Sequence, residues 1–230
     1  PTIRILTSRS LEQDPSQYAE IAQVLSEEGL ICFPSQRQYV VGAALLSEAA
    51  VLRLVQSKRR ASRAPALVLI PDRRGLNGLV GAFPPAARTL MEHFWPGPLT
   101  LLFPPGDKLP ERVVRTLLDK KRPKLGVRIC TGTFAPRILE VFGGPLLISS
   151  ANIAQKVGAS SIAQIRKNFA HTVDLLVDAG DLPAGRPSTI VDFVDDEVKV
   201  QREGAIAAAE IHRVLEQALL DAAAPLAAGI

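Results

Sequence analysis

The chain has 230 residues, of which 47% are hydrophobic and 22% are charged, and its net charge is +4. These numbers indicate a globular protein with a substantial core, compatible with an anionic ligand or RNA, and they exclude a strongly basic nucleic-acid tail. Its two cysteines, Cys32 and Cys130, cannot build a disulfide framework, and no apolar stretch reaches the roughly 18 residues of a membrane span. Because residues 1–30 lack a signal-peptide pattern, the cytoplasm is the expected compartment.

The spacing of apolar residues and the positions of Gly and Pro predict helices and strands that interleave along the chain. In chain order, these are a helix at 16–28, a strand at 30–33, a helix at 47–57, a strand at 66–70, a helix at 84–94, a turn and strand at 95–104, a helix at 110–121, a strand at 125–130, a helix at 135–142, a strand at 145–149, a helix at 161–170, strands at 173–180, 188–193 and 197–203, and a helix at 207–223. Pro34 is predicted to stop the first strand. The alternation predicts one α/β domain at 1–206, followed by a C-terminal helical appendage and tail at 207–230.

A cluster of cations stands directly before the second predicted strand. In "SKRRASRAPALVLIPD", residues 57–72, the cations are Lys58, Arg59, Arg60 and Arg63. Four charges so close together repel one another unless an anion neutralises them, although a solvated loop is the ordinary alternative. The segment therefore indicates a candidate anion site at the mouth of a core strand.

Further polar clusters lie where other apolar strands begin or end. They are "FPSQRQYVVG" at 33–42, "ISSAN" at 148–152, "RPSTIVD" at 186–192 and "QREG" at 201–204. Taken singly, each is also typical of a turn, a helix cap or a strand residue. Arg128 is the hardest to explain by structure alone, because an unpaired charge inside an apolar strand is costly.

These clusters share donors that suit phosphate or ribose oxygens. The donors are Lys58, Arg60, Arg128, Ser150, Asn152 and Arg202. The sequence shows no Ser-His-Asp order, no paired carboxylates and no histidine spacing for zinc, so no protein-held metal site is expected. Catalysis would then come from positioning two reactants and neutralising phosphate charge, as in transfer at phosphorus.

In order and spacing, seven segments resemble the YrdC-like family of threonylcarbamoyl-adenylate synthases over residues 18–206. They are GLICFPSQRQYVVGA, KRR, FWPGPLTLLFP, LGVRIC, SSAN, VDLLVDAGDLPAGRPSTIVDF and QREGAI. Each segment is weak evidence by itself, but seven in the family's order are specific. The resemblance implies a single YrdC-like domain, with a twisted, mixed, open sheet flanked by helices and a concave basic cavity.

The resemblance also implies a nucleotidyltransferase that combines L-threonine, bicarbonate and ATP into threonylcarbamoyl-AMP and pyrophosphate. A separate transferase then passes the threonylcarbamoyl group to adenosine 37 of ANN-reading tRNAs. The implied nucleotide-binding residues, for ATP with its Mg²⁺, are Lys58, Arg60, Ser150, Asn152 and Arg202. Lys58 and Arg60 are the implied catalytic residues. The implied threonine-binding residues are Ser35, Tyr39, Arg128 and Ser188.

The sequence departs from the family pattern mainly on the amino-acid side. Gln36 and Arg37 stand where the family has Glu and Thr, and Leu69 stands where many members have a histidine. Two alternatives therefore stay open. One is a non-catalytic paralogue that binds tRNA or double-stranded RNA through phosphate contacts. The other is a carbamoyl-adenylate enzyme with a different acceptor or with carbamoyl phosphate as substrate, which the added cation of Arg37 motivates.

Overall fold

A computed structural model describes residues 3–58, 65–151, 160–169, 171–195 and 197–223. The strands are β1 (Arg4–Thr7), β2 (Ile31–Ser35), β3 (Gln38–Ala44), β4 (Ala66–Leu69), β5 (Leu99–Phe103), β6 (Leu125–Arg128), β7 (Leu146–Ser150), β8 (Leu175–Asp178), β9 (Thr189–Val194) and β10 (Glu197–Arg202). The α-helices are α1 (Ser8–Gln13), α2 (Tyr18–Ser26), α3 (Glu48–Lys58), α4 (Pro85–Phe94), α5 (Glu111–Leu117), α6 (Phe134–Phe142), α7 (Ile162–Phe169) and α8 (Ala208–Ala223).

The ten strands form one sheet in the order β1-β8-β2-β3-β7-β4-β6-β5-β9-β10. The pairs β1–β8, β2–β8, β4–β6 and β5–β9 are parallel, and the other neighbouring pairs are antiparallel. Parallel pairs require crossover connections, which the helices between strands provide. The structure thus confirms the predicted α/β fold with a mixed sheet flanked by helices.

The sheet is covered on both faces. On one face, α2 and α6 pack against each other, and Ile21 and Ile138 are buried there together with Phe33 of β2. The core of the other face receives buried residues from α3, α4, α5 and α8, among them Val51, Leu90, Val113 and Ile211. Apolar burial on both faces explains why most strands read as continuous hydrophobic runs rather than alternating ones.

The N-terminal third differs most from the predicted elements. β1 and α1 were not predicted, and the apolar run after Arg37 is a strand, β3. The first predicted strand does not stop at Pro34, because β2 continues to Ser35, which pairs with Gln38 of β3. A proline fits there since its nitrogen faces away from β3, on the side where pairing with β8 has already ended at Cys32.

The C-terminal helix α8 packs on α4, and its Ile211 and Val214 are buried. Leu219 and Leu220, near its end, are exposed. The division into a domain at 1–206 and an appendage at 207–230 remains a prediction. Within the described ranges, no helix is both long and apolar enough to cross a membrane.

Candidate active site

Buried polar side chains gather on the sheet face that α2 and α6 partly cover. Arg128 lies beside Leu69 in the β4–β6 register, and Leu69 belongs to the apolar cluster of that face. Three other polar residues are nearly inaccessible: Ser35, which contacts Arg128, and Thr100 and Ser188, which contact each other. Thr100 lies on β5, the strand beside β6, and Ser188 lies just before β9. Because buried polar groups are costly unless they are paired, such a cluster marks a candidate functional site.

Arg128 connects two distant parts of the sheet. Its Nη1 donates to Gln36 Oε1 at 3.0 Å, and its Nη2 donates to Ser35 Oγ at 3.3 Å. Strands β3, β7 and β4 lie between β2 and β6, which a flat sheet would hold about 19 Å apart at its usual spacing. The β2–β3 turn therefore reaches across the face of the sheet to Arg128, and the predicted concave basic cavity remains a prediction.

Among the residues that the structure describes, none supplies a counter-ion to Arg128. Its residue is 8% exposed, and its hydrogen-bond acceptors among the described residues are the neutral Gln36 and Ser35. Burial lowers the pKa of Arg128, Arg202 lowers it further, and the Cys130 thiol opposes the change. A guanidinium nevertheless stays protonated at neutral pH. This face of the sheet thus holds a buried positive charge that suits an anionic ligand.

Ser188 links Arg128's neighbour Thr100 to Arg202. The Ser188 hydroxyl lies 2.9 Å from Thr100 Oγ1, and its carbonyl accepts from Arg202 Nε at 3.3 Å and Nη2 at 2.8 Å. Thr189 Oγ1 accepts from the backbone N–H groups of Gly204 and Ile206, each at 3.0 Å. These contacts hold segment 187–189 ("PST") against segment 202–206 ("REGAI") and so fix Arg202 at the edge of the site.

Gly204 shows why that second motif contains a glycine. A Cβ at this position would lie 2.2 Å from the carbonyl oxygen of Pro187, closer than any real contact. The two segments approach so tightly that only glycine fits without a backbone shift. The glycine is therefore needed for the geometry that positions Arg202, two residues earlier in the chain.

A cavity of about 570 Å³ adjoins Arg202. Its walls are Pro65, Leu102, Leu117, Leu118, Asp119, Arg122, Lys124, Ile190, Asp192, Gln201 and Arg202. Lys124 Nζ lies 3.1 Å from Asp192 Oδ1 and donates to the Phe193 carbonyl at 2.9 Å, so its charge is largely compensated. The cavity combines aliphatic walls with three cations and two carboxylates, one of which pairs with Lys124. Its small excess of positive charge suits a ligand with an apolar ring and an anionic part.

The structure brings together four of the nine predicted site residues: Ser35, Arg128, Ser188 and Arg202. Ser150 lies on β7, two residues after the buried Ile148 of the same face, with its hydroxyl 3.3 Å from Gln38 Oε1. Lys58 ends α3, but its side chain lies outside the described part of the chain, as do Arg60 and Asn152. The nucleotide-binding set therefore remains a prediction.

Tyr39 lies apart from the contacts of Arg128. It is fully buried; its hydroxyl donates to the Gly180 carbonyl at 2.7 Å and accepts from the Ala179 N–H at 3.0 Å. Its carbonyl accepts from the Ala151 N–H at 2.8 Å. These contacts join β3 to the end of β8 and to the start of "AN", so they favour a positioning role over substrate contact.

Residues 23–204 match the family model for the Sua5, YciO and YrdC proteins, which carries the description "Telomere recombination". The chain belongs to this family. A threonylcarbamoyl-AMP synthase of Pyrococcus abyssi is 30% identical over 84% of this chain and 56% of its own length. A putative threonylcarbamoyl-AMP synthase of Mycobacterium leprae is 30% identical over 88% of this chain and 91% of its own. The chain thus spans less than two thirds of the Pyrococcus relative.

Solved structures of family members show the same fold. The crystal structure of P. abyssi Sua5 complexed with L-threonine is 28% identical, with a TM-score of 0.80 over 93% of this chain and 61% of that one. Escherichia coli YciO, at 21% identity, has a TM-score of 0.75 over 91% of this chain and 98% of its own. The recognition of the family from seven short segments is confirmed.

Three residues of the candidate site were not predicted from the sequence, although they stand inside the matching segments. Thr100 and Thr189 belong to "PGPLT" and "PST", where a threonine is usually just a strand residue. Gln36 was noted only as a departure from the family pattern. Their hydroxyl and amide contacts depend on strands that meet only in the fold. Their positions inside the matching segments were therefore the one signal from which the sequence could have predicted them as site residues.

Tyr39→Phe is expected to lower the free energy of unfolding by about 1–3 kcal/mol, because it leaves a buried N–H and carbonyl without their partner. Burial raises the pKa of Tyr39 from 10.0 to about 12. The contribution of the protonated Tyr39 hydroxyl to the free energy of unfolding is therefore complete below pH 10. It is lost as the pH rises from 10 towards 12. Urea denaturation of both proteins across that range measures the difference.

Tyr18→Phe is the matched control, because the Tyr18 hydroxyl makes no hydrogen bond with the described residues. Below pH 10, its substitution should change the free energy of unfolding by less than about 0.5 kcal/mol. Equal effects of the two substitutions would show that the Tyr39 contacts contribute nothing specific.

Proposed function

We propose that this chain synthesises threonylcarbamoyl-AMP from L-threonine, bicarbonate and ATP, and releases pyrophosphate. The observation that carries the proposal is the buried Arg128, which has neutral acceptors among the described residues and lies in the electrostatic field of Arg202, itself bonded to Ser188 beside a cavity. Two anion-binding subsites, one on each side of Ser188, suit a reaction between an amino acid and a nucleotide. The family relatives named threonylcarbamoyl-AMP synthases support the same reaction.

The proposed chemistry needs no side-chain nucleophile. The threonine amine attacks the carbon of bicarbonate, and loss of water leaves a carbamate. A carbamate oxygen then attacks the α-phosphorus of ATP, the bond to the bridging oxygen of the β-phosphate breaks, and pyrophosphate leaves with that electron pair. The site contributes by holding the two reactants in line and by stabilising the charge on phosphorus.

The proposed placement follows from the two subsites. The amino acid lies near Ser35, Arg128 and Ser188, and the nucleotide lies in the cavity beside Arg202. Arg202 donates to Ser188 and also lines the cavity. The carbamate would therefore meet the α-phosphate between Ser188 and the cavity. The remaining nucleotide donors of this proposal are Lys58, Arg60, Ser150 and Asn152.

Mg²⁺ would arrive with ATP rather than in a site of its own. Among the described residues, no group of three or more His, Cys, Asp or Glu could hold a metal ion. The proposal also includes a cytoplasmic location and a separate transferase that carries the threonylcarbamoyl group to adenosine 37 of tRNA. It does not require this chain to bind RNA.

The structure gives Arg37 a local partner. Its charge was the reason to consider an acceptor substrate other than threonine. Arg37 Nη1 donates to the Ala184 carbonyl at 3.1 Å, and its Cδ packs over Gly185. It therefore lies along the segment between β8 and β9 instead of beside Arg128. This position favours threonine over an acceptor chosen by Arg37.

Incubation of the protein with ATP, bicarbonate and threonine, followed by mass measurement, tests the proposal. We expect an adenylate with the mass of threonylcarbamoyl-AMP and one pyrophosphate for each adenylate formed. Omission of threonine or of bicarbonate should abolish both products. Pyrophosphate release that does not depend on threonine would refute the assignment, and a panel of other amino acids would then identify the acceptor.

A further inference from the structure

The segment 179–188, called the rim segment below, joins two distant strands of the sheet. β8 is the second strand in the sheet and β9 is the ninth, so six strands lie between them. Ten extended residues reach at most about 36 Å, which is roughly the width of seven strand spacings. The rim segment therefore has little slack, and its residues 182–187 form no helix, strand or turn.

Both ends of the rim segment are fixed. At its start, the Tyr39 hydroxyl donates to the carbonyl of residue 180 and accepts from the N–H of residue 179. At its end, the Pro187 carbonyl accepts from the Ala205 N–H at 2.9 Å, and the Ser188 carbonyl accepts from Arg202. The position of the middle of the segment therefore depends on other contacts.

Arg37 holds the middle of the rim segment. Its Nη1 donates to the Ala184 carbonyl at 3.1 Å, and a Cβ on Gly185 would lie only 1.7 Å from Arg37 Cδ. Within the described part of the chain, no second hydrogen bond reaches the backbone of residues 183–186 from outside the segment. Arg37 thus combines a hydrogen bond with close packing at the point where the segment has least other support.

Arg37 also stands next to a residue of the candidate site. Gln36, its neighbour in the β2–β3 turn, accepts from Arg128 Nη1 at 3.0 Å, and Ser35 accepts from Nη2. The turn is consequently bonded to the buried guanidinium on one side and to the rim segment on the other. It joins Ser35 and Arg128 to the segment that ends in Ser188, and these three residues form the proposed threonine subsite.

We infer that Arg37 is a positioning residue that latches the rim segment to the β2–β3 turn and so keeps the walls of the threonine subsite at a fixed separation. It acts through Ala184 and Gly185 and does not touch the substrate. Walls that are already ordered need not lose that freedom when threonine binds, so the latch strengthens binding. This inference rests on the proposed function, because it concerns the subsite of its amine substrate.

Two substitutions break the latch from opposite sides. Arg37→Ala removes both the hydrogen bond and the packed stem. Gly185→Ala puts a methyl group where Arg37 Cδ lies and so displaces the arginine without removing it. Each should weaken threonine binding about 3- to 10-fold in calorimetric titration, because the walls must then be ordered on binding. The KM for threonine should rise by a similar factor, while kcat and the KM for ATP stay within about 2-fold.

The double variant separates the latch from two unrelated effects. Since both substitutions act on one contact, it should bind threonine within about 2-fold of Arg37→Ala alone. Arg73→Ala is the matched control, because Arg73 is also exposed and its Nη2 donates to a carbonyl, that of Met91, at 3.0 Å. It should leave threonine affinity unchanged. Effects of Arg37→Ala and Gly185→Ala that multiply in the double variant would overturn the inference.

Urea denaturation of the same variants tests a purely structural role. A lower free energy of unfolding in both single variants, with unchanged threonine affinity, would make the Arg37 contact structural and reject the inference. The proposed function fails separately, if the wild-type protein forms no threonine-dependent adenylate, since the titrations require no reaction. Absence of any threonine binding by the wild-type protein would reject both.

Discussion

Arg128→Met is expected to lower threonine-dependent pyrophosphate release at least about 100-fold, or about 2.7 kcal/mol of transition-state stabilisation. The substitution keeps a long apolar stem in β6 and removes the charge. It also removes the donors to Gln36 and Ser35, so those two groups lose their fixed orientation. The loss should appear chiefly in the dependence on threonine concentration.

The same substitution should leave stability unchanged or raise it. Replacing a buried charge by an apolar residue of similar volume is often neutral or stabilising by roughly 1–4 kcal/mol. Arg128 fits this case because it has neutral partners and lies within the field of Arg202. If Arg128 served structure alone, Arg128→Met would instead lower the stability, and activity would fall only as far as the folded fraction falls.

Urea denaturation and initial rates on the same preparations separate these outcomes. Arg115→Met is the matched control, since Arg115 is exposed on α5 and pairs with Glu111. It should change neither the rate nor the stability appreciably. Destabilisation by more than about 2 kcal/mol in Arg128→Met, with a normal rate per folded molecule, would assign Arg128 to structure.

The fold was predictable because strand and helix signals alternate along most of the chain and the breakers are strong. Pro71 and Gly29 mark real boundaries, whereas Pro34 does not, since a strand tolerates proline where it has no partner on the nitrogen side. The short β1 was missed for a different reason. Its four residues include one buried side chain, Leu6, so no periodic pattern is visible.

The site was predictable only as a set of segments. The contact between Arg128 and Ser35 joins residues 93 positions apart on strands that are not neighbours in the sheet, which no local pattern reports. The Tyr39 hydroxyl likewise points to the backbone 140 and 141 residues away. Motif order therefore located the residues, while the direction of each side chain required the fold.

Arg202→Ala is expected to weaken ATP binding by about 10- to 100-fold, as for loss of a hydrogen bond between a guanidinium and phosphate. Adenosine, which has no phosphate, should bind the variant and the wild-type protein almost equally. Titration with both ligands in parallel thus tests whether Arg202 contacts the phosphates. An equal loss for adenosine would place Arg202 on the nucleoside.

The substitution should also affect threonine, because Arg202 donates twice to the Ser188 carbonyl. We expect the KM for threonine to rise about 3-fold, because Ser188 would then hold threonine less firmly. A weakened hydrogen bond between neutral groups costs roughly 0.5–1 kcal/mol. Arg186→Ala is the control, since Arg186 donates to the neighbouring Gly204 carbonyl but does not line the cavity. A rise in the KM for threonine without any loss of ATP affinity would show that Arg202 only supports Ser188. If Arg202→Ala instead weakens the binding of both threonine and ATP, and ATP more strongly, one guanidinium couples the two subsites where the carbamate and the α-phosphate must meet.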